Sequence, residues 1–555
     1  MTVLTAIGNW RDLMDGANRS AEVLVVGAGP TGLVLALWLK RIGVAVRIID
    51  RTAEPGTTSR ALAVQARTLE LYRQLGLSDE VVARGLEFTA VNLWVRGSRG
   101  GRAALGDIGQ GLSPFPFVLT FPQDEHERLL IDHLRRIGVE VERRTTLVDF
   151  VEQDGHVLAK LELPDGARSE CKATYLAGCD GAHSRVREVL DVGFPGGTYE
   201  RLFYVADVEF HGALANRELH VALDDADLLV VFPLKAENTA RLIGTLRPES
   251  EAQHQTLGWN DVSRGALNRL AVKIDRVNWF STYKVHHRVA RQFRGGRAFL
   301  VGDAAHIHSP VGGQGMNTGI GDAVNLAWKL ASVIQGRANE RILATYAAER
   351  MAFADRLVST TDRAFTLVTR NGFIARHVRT DIVPFVLPRL LNITAIRRLF
   401  FRAVSQTMLN YRPSELSEGK AGRLCAGDRL PWLRIENGTA KDNFAPLDAL
   451  DWQVHVYGTP SRELDQACAD RRLGLQVFPF TKRAEALGFC ESALYLVRPD
   501  GYIGFVDAKA DPANLQRYLD ARGIRTAASE FAGRARESRP GSRAGGDMRS
   551  EPGVE

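Results

Sequence analysis

The run Glu22-Val23-Leu24-Val25-Val26-Gly27-Ala28-Gly29-Pro30-Thr31-Gly32 decides how the N-terminal half of this chain folds. Val23 to Val26 are consecutive apolar residues, the pattern of a strand buried on both faces. Gly27, Gly29 and Gly32 follow in GxGxxG spacing. A helical stretch then runs from about Gly32 to Ile42, where Gly43 ends it. Val44 to Ile49 reads as a second buried strand, which closes a β-α-β unit of about 30 residues. The glycines permit a tight turn and close approach of backbone to a pyrophosphate, and the helix N-terminus presents unpaired N–H groups to it. Asp50 ends the second strand 21 residues after Gly29, the spacing at which a carboxylate meets a ribose hydroxyl. The stretch therefore predicts a dinucleotide site over Gly27, Gly29, Pro30, Thr31, Gly32, Asp50 and Arg51. By itself it does not separate FAD from NAD.

Around this unit lie 555 residues, 45% apolar and 25% charged, the composition of a globular protein of about three or four domains. No uncharged apolar run approaches the roughly 20 residues of a membrane helix; the richest, Leu33 to Leu39, stops at Lys40-Arg41. The N-terminus carries Arg11, Asp12 and Asp15 without an apolar signal core, which argues against secretion. Five cysteines with no CxxC argue against a disulfide framework, so a reducing cytoplasm is expected. The net charge of +6 is spread over 71 basic and 65 acidic residues. Part of it is local to Arg534, Arg536, Arg539, Arg543 and Arg549 in a Gly/Ser/Arg/Pro-rich tail. Neither nucleic acid nor membrane is expected as a partner, although mild positive charge would attract an anionic cofactor.

Further along, Thr68 to Gly76 and Asp124 to Ile137 read as helices. Leu202 to Phe210, Leu219 to Leu223, Leu228 to Pro233 and Ala240 to Leu246 read as an antiparallel sheet inserted between two halves of a nucleotide-binding domain. Ala298 to Val301 is a short buried strand, and Met316 to Ile334 a long helix with Ala323, Leu326, Ala327, Leu330 and Ile334 on one face. Residues 371–425 contain basic helical pieces. After Leu430-Pro431, four candidate strands and two candidate helices mark a small α/β unit.

Two more motifs sit between a strand and a helix. Gly302-Asp303 is followed by Ala304-Ala305-His306, Pro310 and Gly312-Gly313-Gln314-Gly315-Met316-Asn317. Asp303 is suited to a polyol, and the glycines let backbone approach a flat ring at the positive end of the next helix. Cys179-Asp180-Gly181-Ala182-His183-Ser184-Arg185-Val186-Arg187 forms the other; taken alone it also reads as an Asp-Gly turn with a Ser cap. No cluster has metal-ligand spacing, so no metal is expected.

In this order, the three motifs resemble the class A flavoprotein monooxygenases, the single-component FAD aromatic hydroxylases. The likeness spans about residues 21–365. The segments Val301 to His306 and Pro310 to Gly319 look like the phenol hydroxylase and polyketide hydroxylase branches. Ser59-Arg60-Ala61, Arg67-Thr68-Leu69-Glu70 and Pro122-Gln123 are similar to them too. The resemblance implies an α/β fold: a split Rossmann-like FAD domain with an inserted antiparallel-sheet substrate domain, a helical connector and a C-terminal thioredoxin-like domain. The implied divisions are an N-terminal extension (1–20), FAD domain first part (21–195, with a substrate-domain segment at about 85–120), substrate sheet (196–290), FAD domain second part (291–365), connector (366–419), thioredoxin-like domain without CxxC (420–525) and disordered tail (526–555).

Residue by residue, the resemblance implies that Gly27, Gly29 and Gly32 hold the FAD pyrophosphate and Asp50 the adenosine ribose. Arg60 and Gln123 would contact the phosphates and ribityl chain, and Asp303 the ribityl chain. Gly302, Gly313, Gly315, Met316 and Asn317 would frame the flavin, with Met316 and Asn317 at its pyrimidine edge. Pro310 would line the face that meets oxygen. Asp180, Gly181 and Arg185 belong to the motif associated with both FAD and NAD(P)H. The implied reaction is hydroxylation of an activated aromatic ring: NADH or NADPH reduces FAD, O2 reacts with the reduced flavin, and a C4a-hydroperoxide transfers OH. A flavin oxidoreductase of the same fold without oxygen insertion, or a non-catalytic flavin-binding protein, are the competing readings. A base that takes the phenol proton would assist. The candidates are Tyr283, His286 and His287; on a strand, Tyr283, Val285 and His287 share one face and His286 takes the other. Structural roles for these histidines, and for His306 and His308, are the plainer reading. The identity of the aromatic substrate stays open, as does the oligomeric state, with a homodimer as one assembly.

Overall fold

The structure, a computed structural model, describes residues 20–56, 61–106, 108–223, 228–246, 257–262, 264–270, 272–309, 313–369, 377, 381–436 and 441–525. The expected N-terminal extension, apart from Ser20, and the C-terminal tail lie outside them.

A parallel sheet forms the first layer, in the order Ala298–Leu300, Arg168–Gly178, Ala21–Val26, Val46–Ile49, Val141–Glu142. The apolar run of Ala21–Val26 is central, and Val23, Leu24 and Val25 are fully buried, as a strand covered on both faces requires. Two further strands, Thr146–Gln153 and His156–Glu162, extend the outer half of Arg168–Gly178 as an antiparallel meander. Helix Pro30–Arg41 packs between this sheet and the long helix Gly315–Ile334. The two halves of the layer, some 270 residues apart in sequence, thus share one core.

The second layer is an eight-stranded sheet built around Gly196–His211 and Lys273–Val289, with Thr239–Thr245, Leu228–Pro233 and Leu219–Leu223 alongside. Ala90–Val95 and Ser98–Ala104 complete it at one edge. At the other edge lies His306–Ile307, only three residues beyond Asp303. One face carries its own core of Tyr204, Ala206, Val208, Phe210, Leu229, Val231 and Leu242.

A third sheet has the order Gly474–Phe478, Gln453–Tyr457, Leu494–Val497, Ile503–Asp507, with only the first pair parallel. Helices Arg462–Asp470, Lys482–Leu487 and Pro512–Ala521 connect and flank it. One face of this sheet has its own core of Tyr457, Phe478, Tyr495, Val497 and Ile503, while the other face is shared with the first layer. Val454, Leu496, Phe505 and Leu519 belong to the same apolar cluster as Leu33 and Trp328 of the first layer. Against the edge strand Ser98–Ala104 of the second layer, helices Val383–Leu391 and Thr394–Val404 form a surface hairpin.

Four histidines are held neutral by burial: His126 and His455 are pulled down to about 3, His220 and His308 to about 4. All lie below the ordinary 6.5, so the stability contributed by the neutral rings is complete above about pH 6.5. It is lost as pH falls toward 4 and then 3, by about 1.4 kcal/mol per ring per pH unit. Urea midpoints measured in steps from pH 7 to pH 4 should fall steadily; a flat profile would contradict the burial argument.

Candidate cofactor and substrate site

The three motifs come together at one end of the parallel sheet. Gly27 adopts φ +103°, and a Cβ there would lie 2.4 Å from the Cys179 carbonyl oxygen, so the first turn is pressed against the Asp180-Gly181 turn. Gly32 is tighter still: a Cβ would sit 2.0 Å from the Gly27 carbonyl oxygen. Gly32→Ala cannot fit without opening the turn. It should yield protein that retains less than about a tenth of the wild-type flavin, read as the ratio of visible to 280 nm absorbance.

The second contact joins the first motif to the third. Gly302 has φ +65°, and a Cβ on it would meet Thr31 Oγ1 at 2.8 Å; one on Gly319 would meet the same atom at 2.4 Å. Thr31 is therefore clasped between the Gly302-Asp303 turn and the long helix. The third contact is Arg187, which donates from Nη1 to the Ala304 carbonyl (2.9 Å) and from Nη2 to the Ala182 carbonyl (2.8 Å).

Against these filled positions, others face outward. A Cβ on Gly29 would meet nothing within 4 Å, nor would one on Gly181. Asp303 is exposed between buried Gly302 and Ala304. Asp50 Oδ2 accepts from the Ala28 N–H (2.6 Å), and its Oδ1 accepts from the N–H and hydroxyl of Thr52 at 2.8 and 2.6 Å. Arg143 Nη1 stands 3.7 Å from Asp50, while its Nη2 is buried without a protein partner. Arg51 is exposed beside it. Open glycines, an outward carboxylate and an unspent guanidinium nitrogen fit an anionic dinucleotide. The lone glycine motif thus acquires a built surface.

Other expected residues take supporting roles. Gln123 donates to Glu127 Oε1 (2.8 Å), whose Oε2 accepts from the Gly56 N–H (3.0 Å); burial raises the Glu127 carboxyl. Asp180 Oδ2 caps helix Arg185–Leu190 through the N–H groups of Arg185 and Val186, and its Oδ1 is buried without a protein partner. Burial raises the Asp180 carboxyl. Arg185 reaches the Val148 carbonyl. The Asn317 side chain is engaged internally: it donates to Ala63 and Gly313 carbonyls and accepts from Gln65 N and Thr68 Oγ1. What the long helix has to offer a ligand is then the backbone N–H groups of its first turn, Gly315, Met316 and Asn317, which lie ahead of the first i→i−4 bonds within the helix. Gly313, at φ +62°, lets this turn approach Ala63. Arg60 and Pro310 lie outside the described residues.

Two residues under the site escaped sequence reasoning. Asp322, fully buried on the long helix, accepts from the Gly302 N–H (3.1 Å), His306 Nε2 (2.7 Å) and Arg350 Nε (2.5 Å). Burial would raise its carboxyl; Arg350 and His306 more than offset this and hold it low. Gln406, at φ +60°, donates from Nε2 to Gln314 Oε1 (2.6 Å) and Thr318 Oγ1 (2.9 Å), tying the connector to the start of the same helix.

Beside this end of the sheet stands the second face of the large sheet. Strand register groups Phe203, Tyr283 and Thr245, then Val205, Ser281, Ile243 and Val230, then Asp207, Trp279, Arg241 and Phe232 on that face. Arg241 is bidentate to Asp207 at 2.7 Å and reaches the Ala61 carbonyl at 3.4 Å, so the face looks toward the cofactor turns. Ile243, Val230, Phe232, Trp279 and Tyr283 are only half-buried. Tyr283, Val285 and His287 do share a side, with Tyr199 4.9 Å from the His287 ring. His286 bonds Thr198 Oγ1 on the other side. His306 serves Asp322, and His308 Nδ1 bonds the Ser309 carbonyl.

A family model described as an FAD binding domain matches residues 20–361. The chain belongs to that family. It is 37% identical over 411 residues to a 6-methylpretetramide 4-monooxygenase of Streptomyces rimosus, covering 72% of this chain and 71% of the relative. It is 30% identical over 423 residues to a pentachlorophenol 4-monooxygenase of Sphingobium chlorophenolicum, covering 75% and 76%. Among solved structures, the OxyS anhydrotetracycline hydroxylase from Streptomyces rimosus superposes with a TM-score of 0.73 at 28% identity, covering 92% of this chain and all of that one. The mixed α/β fold is thus that of FAD-dependent hydroxylase structures.

Proposed function

We propose that the chain is an FAD-dependent monooxygenase that uses NAD(P)H and O2 to hydroxylate an electron-rich aromatic ring, phenolic or polyketide-type. The observation that carries this reading is the convergence of three glycine turns beside a half-buried apolar sheet face. One feature suits a dinucleotide, and the other suits a flat apolar ring. FAD, when bound, supplies the redox chemistry and the activation of oxygen.

The chain's own residues bind and orient. Gly27, Gly29 and Gly32 hold the pyrophosphate, Asp50 and Arg143 the adenosine side, Asp303 the polyol, and the first turn of the long helix the electron-rich edge of the ring. The helix end favours negative charge there. Trp279, Phe232, Ile243 and Val230 exclude water around the substrate. Tyr283 is placed on the same face as these residues and is the first candidate to accept or hold the substrate's hydroxyl proton; His287, under Tyr199, is the second. The similarity to the pretetramide and chlorophenol monooxygenases supports the substrate class. The C-terminal unit is read as thioredoxin-like; its cysteines, Cys425, Cys468 and Cys490, form no CxxC, so no redox role is assigned.

The test is the visible spectrum of the purified protein, followed by NAD(P)H consumption in air with a panel of phenols and polycyclic phenols under labelled O2. Substrate-stimulated oxidation with label in the product is expected. Oxidation without label would make it an oxidoreductase lacking oxygen insertion. Asp303→Ala should lower bound FAD at least about tenfold, the scale of losing one charged hydrogen bond; unchanged flavin content would remove Asp303 from the site.

A further inference from the structure

Nine of the eleven large apolar side chains that are exposed among the described residues lie between Ile382 and Met408. Single exposed leucines need no explanation, but a contiguous cluster does. Ile382, Phe385, Val386 and Leu390 project from helix Val383–Leu391, Ile393 from the turn, and Leu399 and Phe400 from helix Thr394–Val404, each between 38% and 54% exposed. The hairpin is seated firmly beneath: Pro384 packs on Gly100 of the edge strand Ser98–Ala104, the Phe401 ring on Gly109, and Leu391 is buried. Its exposed side is therefore a fixed surface.

The charge of this surface is predominantly positive; the carboxylate at its start, Asp381, pairs with His377. From 382 to 408 the sequence contains Arg389, Arg397, Arg398 and Arg402 and no acidic residue. Arg398 and Arg483 of the C-terminal unit meet beside Gly111, which continues the cationic rim. A second copy of the chain docked symmetrically would set arginine against arginine. The complementary occupant offers apolar depth and negative charge together.

We propose that this hairpin docks the protein, in the plane of the interface, on an anionic lipid bilayer. The apolar side chains enter the acyl boundary while the arginines meet the headgroups. At nine and eleven residues the helices are too short to cross a bilayer, and no helix among the described residues is long and apolar enough to do so. Contact is thus peripheral, which modifies the expectation of no membrane partner. The hairpin abuts the edge of the sheet proposed to line the substrate, so docking would hold that side near a phase in which apolar ring compounds concentrate. This last consequence rests on the proposed function; the docking itself does not.

The test uses full-length flavin-loaded protein and sucrose-loaded vesicles of phosphatidylcholine, with and without phosphatidylglycerol. Sedimentation with the anionic vesicles at least about tenfold above the neutral ones is expected, weakening with salt. The arginine-rich residues 531–549 would bind anionic lipid without the hairpin, so apolar substitutions decide. Ile393→Glu/Leu399→Glu, at exposed positions, should abolish most of the binding without changing the thermal midpoint or flavin content. Binding that survives this substitution overturns the proposal, as does absence of binding to anionic vesicles. A dimer seen by light scattering that the same substitution dissolves would assign the patch to self-association and overturn it too. Flotation is read without turnover, so a protein that docks but does not hydroxylate would count against the proposed function alone.

Discussion

Arg498→Met is expected to destabilise the protein by about 3–5 kcal/mol, the scale of breaking a buried ion pair from one side. Arg498 is fully buried in the C-terminal unit. It is bidentate to Glu349, at 2.8 and 3.0 Å, and bonds Asp500 at 3.0 and 2.6 Å. Glu349 also accepts from Lys329 Nζ (2.9 Å), and Trp328 Nε1 donates to Asp500 (3.1 Å). The four charges sum to zero, with Lys329 and Glu349 from the first layer and Arg498 and Asp500 from the C-terminal unit. Removing Arg498 leaves one net negative charge away from water. Glu349→Gln added to it restores neutrality between Lys329 and Asp500. The double variant should therefore be far less destabilised than the sum of the two single variants. Urea unfolding of the four proteins tests this; additive losses would mean that the quartet is not a coupled unit. Arg67 and Arg429 add to the seam: both bond buried Glu70, and Arg67 also donates to the Asp500 carbonyl.

Asp322→Ala should remove flavin as well as stability. The carboxylate is the acceptor for the Gly302 N–H, for His306 and for Arg350, and Arg350 in turn donates to Tyr411 Oη (2.8 Å) and the Thr318 carbonyl (3.1 Å). Without it a guanidinium stays buried and unpaired and the Gly302-Asp303 turn loses its support. We expect a loss of about 3–5 kcal/mol, a fall in Tm of roughly 3–4 °C for a chain of this length, and FAD affinity lowered at least tenfold on the scale of ~1.4 kcal/mol per decade. Asp322→Asn keeps one acceptor oxygen and should fall between. Scanning calorimetry with flavin titration below the transition separates the two effects. Weakened stability with wild-type FAD affinity would show that the turn does not need this carboxylate.

How the chain's reading divides between sequence and tertiary structure can be seen on the long helix Gly315–Ile334. Its apolar face, Ala323, Leu326, Ala327 and Leu330, is legible because helical period and burial coincide. Asp322, Asn325 and Lys329 recur at i, i+3 and i+7, and periodicity alone assigns such a stripe to solvent. The structure buries all three, at 0–1% exposure, because their partners come from other turns and helices: His306 and Arg350 for Asp322, and Glu349 for Asn325 and Lys329. Gln406 was invisible for the same reason, and Arg187, although it ends the Cys179–Arg187 motif, carried no sign of its carbonyl partners: nothing local distinguishes a polar side chain that will bond across the fold.

The basic hairpin at 382–404 shows the converse. Its sequence reads only as basic helical pieces, and the packing alone reveals that part of the apolar side stays outside. By itself the sequence determined the β-α-β unit and the glycine turns, since a position where a Cβ would fall within 2–3 Å of neighbouring atoms admits only glycine and writes that need into local residues. It determined equally the strand alternation of buried and half-buried positions at Leu219–Leu223 and Leu228–Pro233. Which turns face each other, which carboxylate supports them and which charges are paired were decided by tertiary structure alone. Those are long-range contacts between side chains whose local sequence carries no record of the partner.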